Sequence, residues 1–243
     1  MEEAQAYATW RKWRESKGPS FVLEPETTAF VVTDMQYASA CRTTGKGKVL
    51  KDRGEAGSLD YRFTRLENIV VPNIARLLGF FRQNQLRIIY VTLGSEMPDY
   101  SDILPDWRPF FMATNNTRGN REHEILDEIK PHPGECVINK LTGGAFNSSN
   151  IDLVLRAMGI RYILFGGVST HGCVETTARN AVDHGYRCIM VEDCCADNAE
   201  TLHRNTLSDF HNHRGRVETT DAVIQELSRA STQVKQVASG RKY

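Results

Sequence analysis

Strand-length runs that are apolar from end to end, separated by segments of helical period, leave this chain few ways to fold. Ala29–Thr33 (AFVVT), Leu86–Leu93 (LRIIYVTL), Glu135–Asn139 (ECVIN), Arg161–Phe165 (RYILF) and Arg187–Glu192 (RCIMVE) read as strands, with a short one at Arg216–Thr219. Between them the spacing predicts helices over 68–84, where Ile74, Leu77, Leu78 and Phe81 recur at i, i+3, i+4 and i+7. Further helices are expected over 121–129, over 150–158 ending at Gly159, from about Cys173 to His184, over 201–210 and over 222–230. A strand without alternation is buried on both faces, so the pattern implies an α/β fold: a doubly wound, mostly parallel sheet, Rossmann-like and three-layered, with helices on both faces. Crossovers in such a sheet are right-handed, and its chemistry gathers at the carboxyl ends of the strands.

With 243 residues the chain can bury one full core. The expected organisation is an N-terminal arm over 1–20, one domain over 21–232 and a tail over 233–243. Lys+Arg and Asp+Glu balance at 30 each, which gives no dedicated nucleic-acid surface and little to oppose a homo-oligomer, dimer or tetramer. No apolar run approaches the roughly 20 residues of a spanning helix. The charged N-terminus has no secretory core, so its Trp10 and Trp13 are expected to pack on protein. The six cysteines match no secreted disulfide scaffold, which favours the cytoplasm. Two polar excursions interrupt the pattern: 37–67, Gly-rich with several Lys and Arg, and 94–119, whose Trp107, Phe110 and Phe111 are enough to wall a pocket.

Three residue types stand at the edge where chemistry gathers. Asp34 closes its strand as VVTDMQ, Lys140 ends VINK, and Cys173 lies in GVSTHGCV between a strand and a helix. Singly, each has a plain alternative: a cap, a solvated lysine, a buried filler. Together they supply an acid–base, a cation and a nucleophile. A cysteine opening a helix meets unpaired N–H groups and the positive end of the dipole, which should lower its pKa and make thiolate available near neutral pH. Of the six, Cys173 is then the one essential thiol. Cys194–Cys195 reads as packing, His171 as a loop side chain, and His211 and His213 lack the neighbours of a metal site.

VVTDMQ, the Asn139–Lys140 pair, GGAFNSSNIDLVLRAMGIRYILFGGVSTHGCVETTARNAVDHGY and MVEDCCAD follow one another in an order that resembles the isochorismatase-like cysteine hydrolases over about Thr28 to Leu227. That superfamily includes nicotinamidases, N-carbamoylsarcosine amidohydrolases, ureidoacrylate and biuret hydrolases, and isochorismatases. The resemblance implies Asp34 as general acid–base, Lys140 as the charge-holding cation and Cys173 as nucleophile. It also implies a cis Val168–Ser169 peptide, with the Ser169 and Cys173 amides as oxyanion hole. The implied reaction cleaves a C–N bond of a small amide, carbamoyl or ureide substrate through an acyl-thioester or thiocarbamate, releasing ammonia. No cofactor is expected, and no metal either, because YVTLGSEMPDYSD lacks the histidine cluster of metal nicotinamidases. Cys173 counts against vinyl-ether hydrolysis, which leaves isochorismatase-type or nicotinamidase-like activity, or a silent binding protein, as the alternatives. Tyr37, standing where relatives often carry a small polar residue, Phe146 and Trp107 are the candidate substrate-binding residues.

Overall fold

A computed structural model describes residues 20–240, together with Gln5 and Lys12, with side chains as far as Thr232. The rest of the arm, Trp10 and Trp13 included, lies outside the described residues, as do the side chains of the tail. Strands β1 (Thr28–Thr33), β2 (Arg87–Leu93), β3 (Cys136–Lys140), β4 (Tyr162–Val168), β5 (Arg187–Ala196) and β6 (Arg216–Glu218) form one sheet in the order β3-β2-β1-β4-β5-β6. Every neighbouring pair is parallel, so the sheet is parallel throughout rather than mostly so.

Helices α1 (Gly45–Asp52), α2 (Asp60–Arg65) and α3 (Val71–Gln83) join β1 to β2, and α4 (Arg108–Ala113) lies between β2 and β3. Helices α5 (Ile151–Ala157), α6 (Glu175–Asp183) and α7 (Glu200–His213) make the next three connections, and α8 (Thr220–Gly240) follows β6. Alternate residues of each strand feed opposite layers, which is why the strands carry no polar face. Phe30, Val32 and Tyr90 pack against Ile74, Leu77 and Phe81 of α3 and Leu227 of α8. Val31, Ile89 and Phe165 pack against Leu155 of α5, Ala178 of α6 and Phe210 of α7. No helix among the described residues is long and apolar enough to cross a membrane.

Three elements differ from the sequence pattern. The helix expected over 121–129 is two single turns, Arg121–His123 and Asp127–Ile129. Its backbone is held by the loop after β1 instead: Tyr37 N donates to Glu124 O, Leu126 N donates to Met35 O, and Gln36 bridges Ile125. Strand β5 runs beyond Glu192 to Ala196, because a register shift between Phe165 and Gly167 lets Cys195 and Ala196 pair with Gly167 and Val168. The last helix extends past Ala230 to Gly240.

Strands β1 and β4 meet most tightly at their carboxyl ends. A Cβ on Gly167, whose φ is +121°, would lie 1.9 Å from Thr33 O. Neither the space nor the backbone conformation admits a side chain there. Gly167→Ala should therefore lower the unfolding free energy by at least about 3 kcal/mol, read from urea denaturation. A loss under about 1 kcal/mol would show that the two strands can part without consequence.

Candidate active site

The strand order turns the chain one way from β1 to β2 and the other way from β1 to β4, which opens a crevice above the carboxyl ends of β1 and β4. Asp34 enters it directly from β1. Its backbone is in the left-handed region, φ 53°, which aspartate tolerates better than most residues, and its amide donates to Val91 O at 2.8 Å. Lys140 comes from β3, two strands away. Neighbouring strands lie about 4.8 Å apart, a span only a long side chain covers. Its ammonium reaches over the end of β2, donating to Asp34 Oδ2 at 3.0 Å and to Thr142 O at 3.1 Å. Lys140 is 0 % exposed and Asp34 3 %. The second carboxylate oxygen, Oδ1, is buried and has no hydrogen-bond partner among the described residues.

Cys173 is half-buried beside this pair. It sits not in the first turn of α6, which starts at Glu175, but in the wide turn Thr170–Val174, where Gly172 leaves helical geometry (φ −104°, ψ −110°). Burial, reinforced by the Asp34 carboxylate and opposed by Lys140, pushes the thiol up to about 12. Both effects act against the standing thiolate expected from the dipole argument, which left out the loss of water and the adjacent negative charge. Burial also raises Asp34, against the pull of Lys140. On Lys140 burial acts downward, but Asp34 and Cys173 outweigh it and hold the ammonium above its ordinary value. The direction at Cys173 favours a protonated thiol beside the Asp34–Lys140 pair.

The Val168–Ser169 peptide is cis. Ser169 Oγ accepts a 2.7 Å hydrogen bond from Arg62, which is only 1 % exposed and whose other donors go to Asn198 Oδ1 (3.2 Å) and Ser39 O (2.9 and 3.2 Å). Ser39 Oγ in turn donates to Asp34 O at 2.6 Å. Arg62 therefore ties the loop after β1 to the loop after β4. A cavity of about 160 Å³ opens above Asp34, Ser169 and Cys173, walled by Phe110 and Phe111 of α4 and by Lys46 and Arg62 of the first excursion. Neither Lys46 nor Arg62 stood out in the sequence; the one signal available was that the basic, Gly-rich stretch follows Asp34 directly. Beside the cavity, His171 Nδ1 meets the fully buried Asp197 carboxylate at 2.6 Å.

The structure places the three candidate substrate-binding residues outside the cavity wall. Tyr37 Oη donates to Asp127 Oδ2 at 3.1 Å, and its ring lies 4.0 Å from the Arg121 guanidinium. Trp107 stacks behind Phe111, ring centroids 6.3 Å apart. Phe146 packs against His184 and Tyr186, at 4.9 and 6.0 Å. Among the described residues no three His, Cys, Asp or Glu side chains are grouped to hold a metal ion.

A doubly wound parallel sheet with a thiol, a carboxylate and an ammonium at its switch point defines a class of protein, and comparison with known proteins narrows it. The Isochorismatase domain model matches residues 28–222. The ureidoacrylate amidohydrolase of Agrobacterium fabrum is 30 % identical over 188 residues, 70 % of this chain and 76 % of that protein. The maleamate amidohydrolase of Pseudomonas putida is 27 % identical over 157 residues, 65 % of this chain and 74 % of that one. A cysteine hydrolase structure from Pseudomonas syringae superposes with a TM-score of 0.72 at 25 % identity, covering 88 % of this chain and 98 % of that one. The N-carbamoylsarcosine amidase structure from Thermoplasma acidophilum superposes with a TM-score of 0.60 at 25 % identity, covering 80 % and 97 %. The chain belongs to the isochorismatase family, and with its amidohydrolase relatives it is a hydrolase acting on carbon–nitrogen bonds other than peptide bonds.

Two measurements check this electrostatic picture. Because a raised pKa leaves thiolate scarce below it, the rate at which iodoacetamide alkylates Cys173 should climb steadily from pH 7 to about pH 10. The signal should be followed on the Cys173 peptide by mass spectrometry. Cys41 is also half-exposed, and hydrogen bonding to Thr43 and Thr44 outweighs its burial and holds its thiol below the ordinary value. A plateau for Cys173 below pH 8 would mean a standing thiolate. Removing one partner of a buried ion pair leaves the other uncompensated, so Lys140→Met should cost about 3–5 kcal/mol of stability at neutral pH. Adding Asp34→Asn should recover part of that loss; strict additivity would mean the pair is not coupled.

Proposed function

We propose that this hydrolase works by covalent catalysis, with Cys173 as nucleophile, Asp34 as proton carrier and Lys140 as the fixed charge beside both. The observation that carries the reading is the meeting of these side chains from three separate strand ends: Asp34 and Cys173 line one small cavity, and the fully buried Lys140 is bonded to Asp34. Asp34 Oδ1, buried and unpartnered among the described residues, is the atom free to accept the thiol proton. As it does so, Sγ bonds to the carbonyl carbon of an amide, carbamoyl or ureide group and the C=O electron pair moves onto oxygen. The Ser169 and Cys173 amides are assigned to that oxyanion. Asp34 then returns its proton to the leaving nitrogen, the C–N bond breaks, and ammonia departs from a terminal amide.

Water completes the cycle. Asp34 takes a proton from it as its oxygen attacks the acyl-thioester or thiocarbamate, and the expelled sulfur recovers that proton. Lys140 keeps the pair near neutral whichever of Asp34 and Cys173 holds the proton, so no step strands a lone charge in a buried site. Neutral thiol in the resting state suits this sequence, because proton transfer and attack occur together once a carbonyl is in place.

An ammonia assay over a panel of small amides and ureides tests the proposal. Cys173→Ala should fold with an unchanged thermal midpoint yet lose at least about a thousandfold in turnover of whichever substrate responds. A folded Cys173→Ala protein with near wild-type turnover would remove the thiol from the mechanism. Chemistry using Asp34 alone, as in ether cleavage, would then take its place.

A further inference from the structure

A guanidinium taken out of water normally meets a carboxylate. Arg62, 1 % exposed, is bonded to none among the described residues. Its four hydrogen bonds end on neutral oxygens: Ser39 O at 2.9 and 3.2 Å, Asn198 Oδ1 at 3.2 Å and, shortest, Ser169 Oγ at 2.7 Å. The nearby carboxylates are engaged elsewhere. Asp34 is bound by Lys140, and Asp197 accepts from the His171 and Asn198 amides and meets the His171 ring. Burial lowers Arg62 to about 10, against the pull of Asp197, Cys173 and Asp34, so its charge persists at neutral pH.

The contact with Ser169 constrains that hydroxyl. A hydroxyl has one proton to give and two lone pairs to accept with, and a guanidinium can only donate. Arg62 therefore occupies a lone pair of Oγ and leaves the proton to turn away from it. No acceptor among the described residues takes that proton. Ser169 lines the same cavity as Cys173 and follows the cis peptide bond. A hydroxyl that accepts from a cation is polarised and becomes the stronger donor.

We infer that the Ser169 hydroxyl is a further catalytic group, donating a hydrogen bond to the oxygen that turns negative as Cys173 attacks, and that Arg62 is the positioning residue that turns and polarises it. The inference rests on the hydrolase reading for the place of the oxyanion, and it adds a side-chain donor to the two amides assigned there. As Sγ bonds to the carbonyl carbon, the C=O electron pair moves onto oxygen and strengthens the bond from Ser169. Neither Ser169 nor Arg62 gives up a proton. When the pair returns and the C–N bond breaks, both groups stand as before. The unpaired cation thus has a counter-charge only while the reaction is under way, and an interaction stronger in the transition state than in the ground state raises kcat.

Ser169→Ala removes the hydroxyl and keeps the amide. In that variant kcat should fall about tenfold to a thousandfold on whichever amide or ureide responds, with KM changed by less than about threefold. Alkylation by iodoacetamide forms no oxyanion, so Cys173 in Ser169→Ala should react at the rate of the unmodified protein. A small aldehyde does form one. Butyraldehyde labelled at its carbonyl carbon should add to Cys173 as a hemithioacetal, seen by carbon NMR and absent from Cys173→Ala. Ser169→Ala should weaken that adduct at least about tenfold. Arg62→Met should also lower kcat, and combining it with Ser169→Ala should cost little beyond the larger single loss. Arg62→Lys, which still donates, should recover part of the rate. Thermal midpoints identify the folded variants, and Ser169→Ala alone decides the matter if the Arg62 variants do not fold. Unchanged kcat and aldehyde affinity in Ser169→Ala, alkylation that falls in parallel with turnover, or strictly additive losses with Arg62→Met would overturn the assignment. An unmodified protein that forms no aldehyde adduct and releases no ammonia from any amide or ureide would refute the hydrolase reading itself, and the assignment with it.

Discussion

The buried ion pair between Lys140 and Asp34 is the constraint on which the rest of the site depends. Neither group has water to fall back on, so the pair must be made at one geometry. That geometry requires three adjacent strands to end in register, with Leu93 opposite Lys140 on β3 and Val91 opposite Thr33 on β1. Asp34 and Thr142 O take two of the three protons of the ammonium. The positive charge that remains is what keeps a second titrating group, the Cys173 thiol, from being isolated beside a carboxylate.

Close approach of backbone supplies the other half of the construction. Gly167 lets β4 come against Thr33, and Gly166 lies where a Cβ would be 2.9 Å from Cys194 Cβ. Ser169 and Cys173, carried by the loop after β4, are thereby brought beside the residue that leaves β1. Arg62 then fastens the two loops through Ser39 and Ser169. A guanidinium suits this task because its planar fork reaches several acceptors at once, and because it stays charged even though burial lowers it to about 10.

Asp34, Lys140 and Cys173 were legible in the sequence because each stands at, or just past, the end of a run whose apolar character fixes it as a strand. Position along a strand then gives position in space. Lys46 and Arg62 were not legible, since a charged residue in a long loop reads as solvated unless the packing that turns it inward is known. For Lys46 that packing depends on Ala38 and Arg42 meeting Gly45 and Gly47, a tertiary fact. Tyr37, Trp107 and Phe146 fall outside the cavity wall for the converse reason. An aromatic side chain near a site can face the cavity or the layer behind it, and here Phe110 and Phe111 took the wall while Trp107 backs Phe111. The segment 121–129 has helical composition, but the loop after β1 claims its backbone groups.

At Cys173, magnitudes decide between competing effects. A helix start favours a nearby negative charge by roughly 0.3–1 kcal/mol at an exposed site. Taking an ionisable group out of water can shift it by several pKa units, each worth about 1.4 kcal/mol. Burial therefore prevails at Cys173, and Asp34 adds to it. Cys41 makes the contrast: it too is half-exposed, but hydrogen bonding to Thr43 and Thr44 outweighs its burial and holds its thiol down. The more acidic thiol thus lies where no Asp34 or Lys140 stands ready, while the thiol beside both keeps its proton. In the mechanism proposed here, reactivity at Cys173 depends on a base acting at the moment of attack rather than on a stored thiolate.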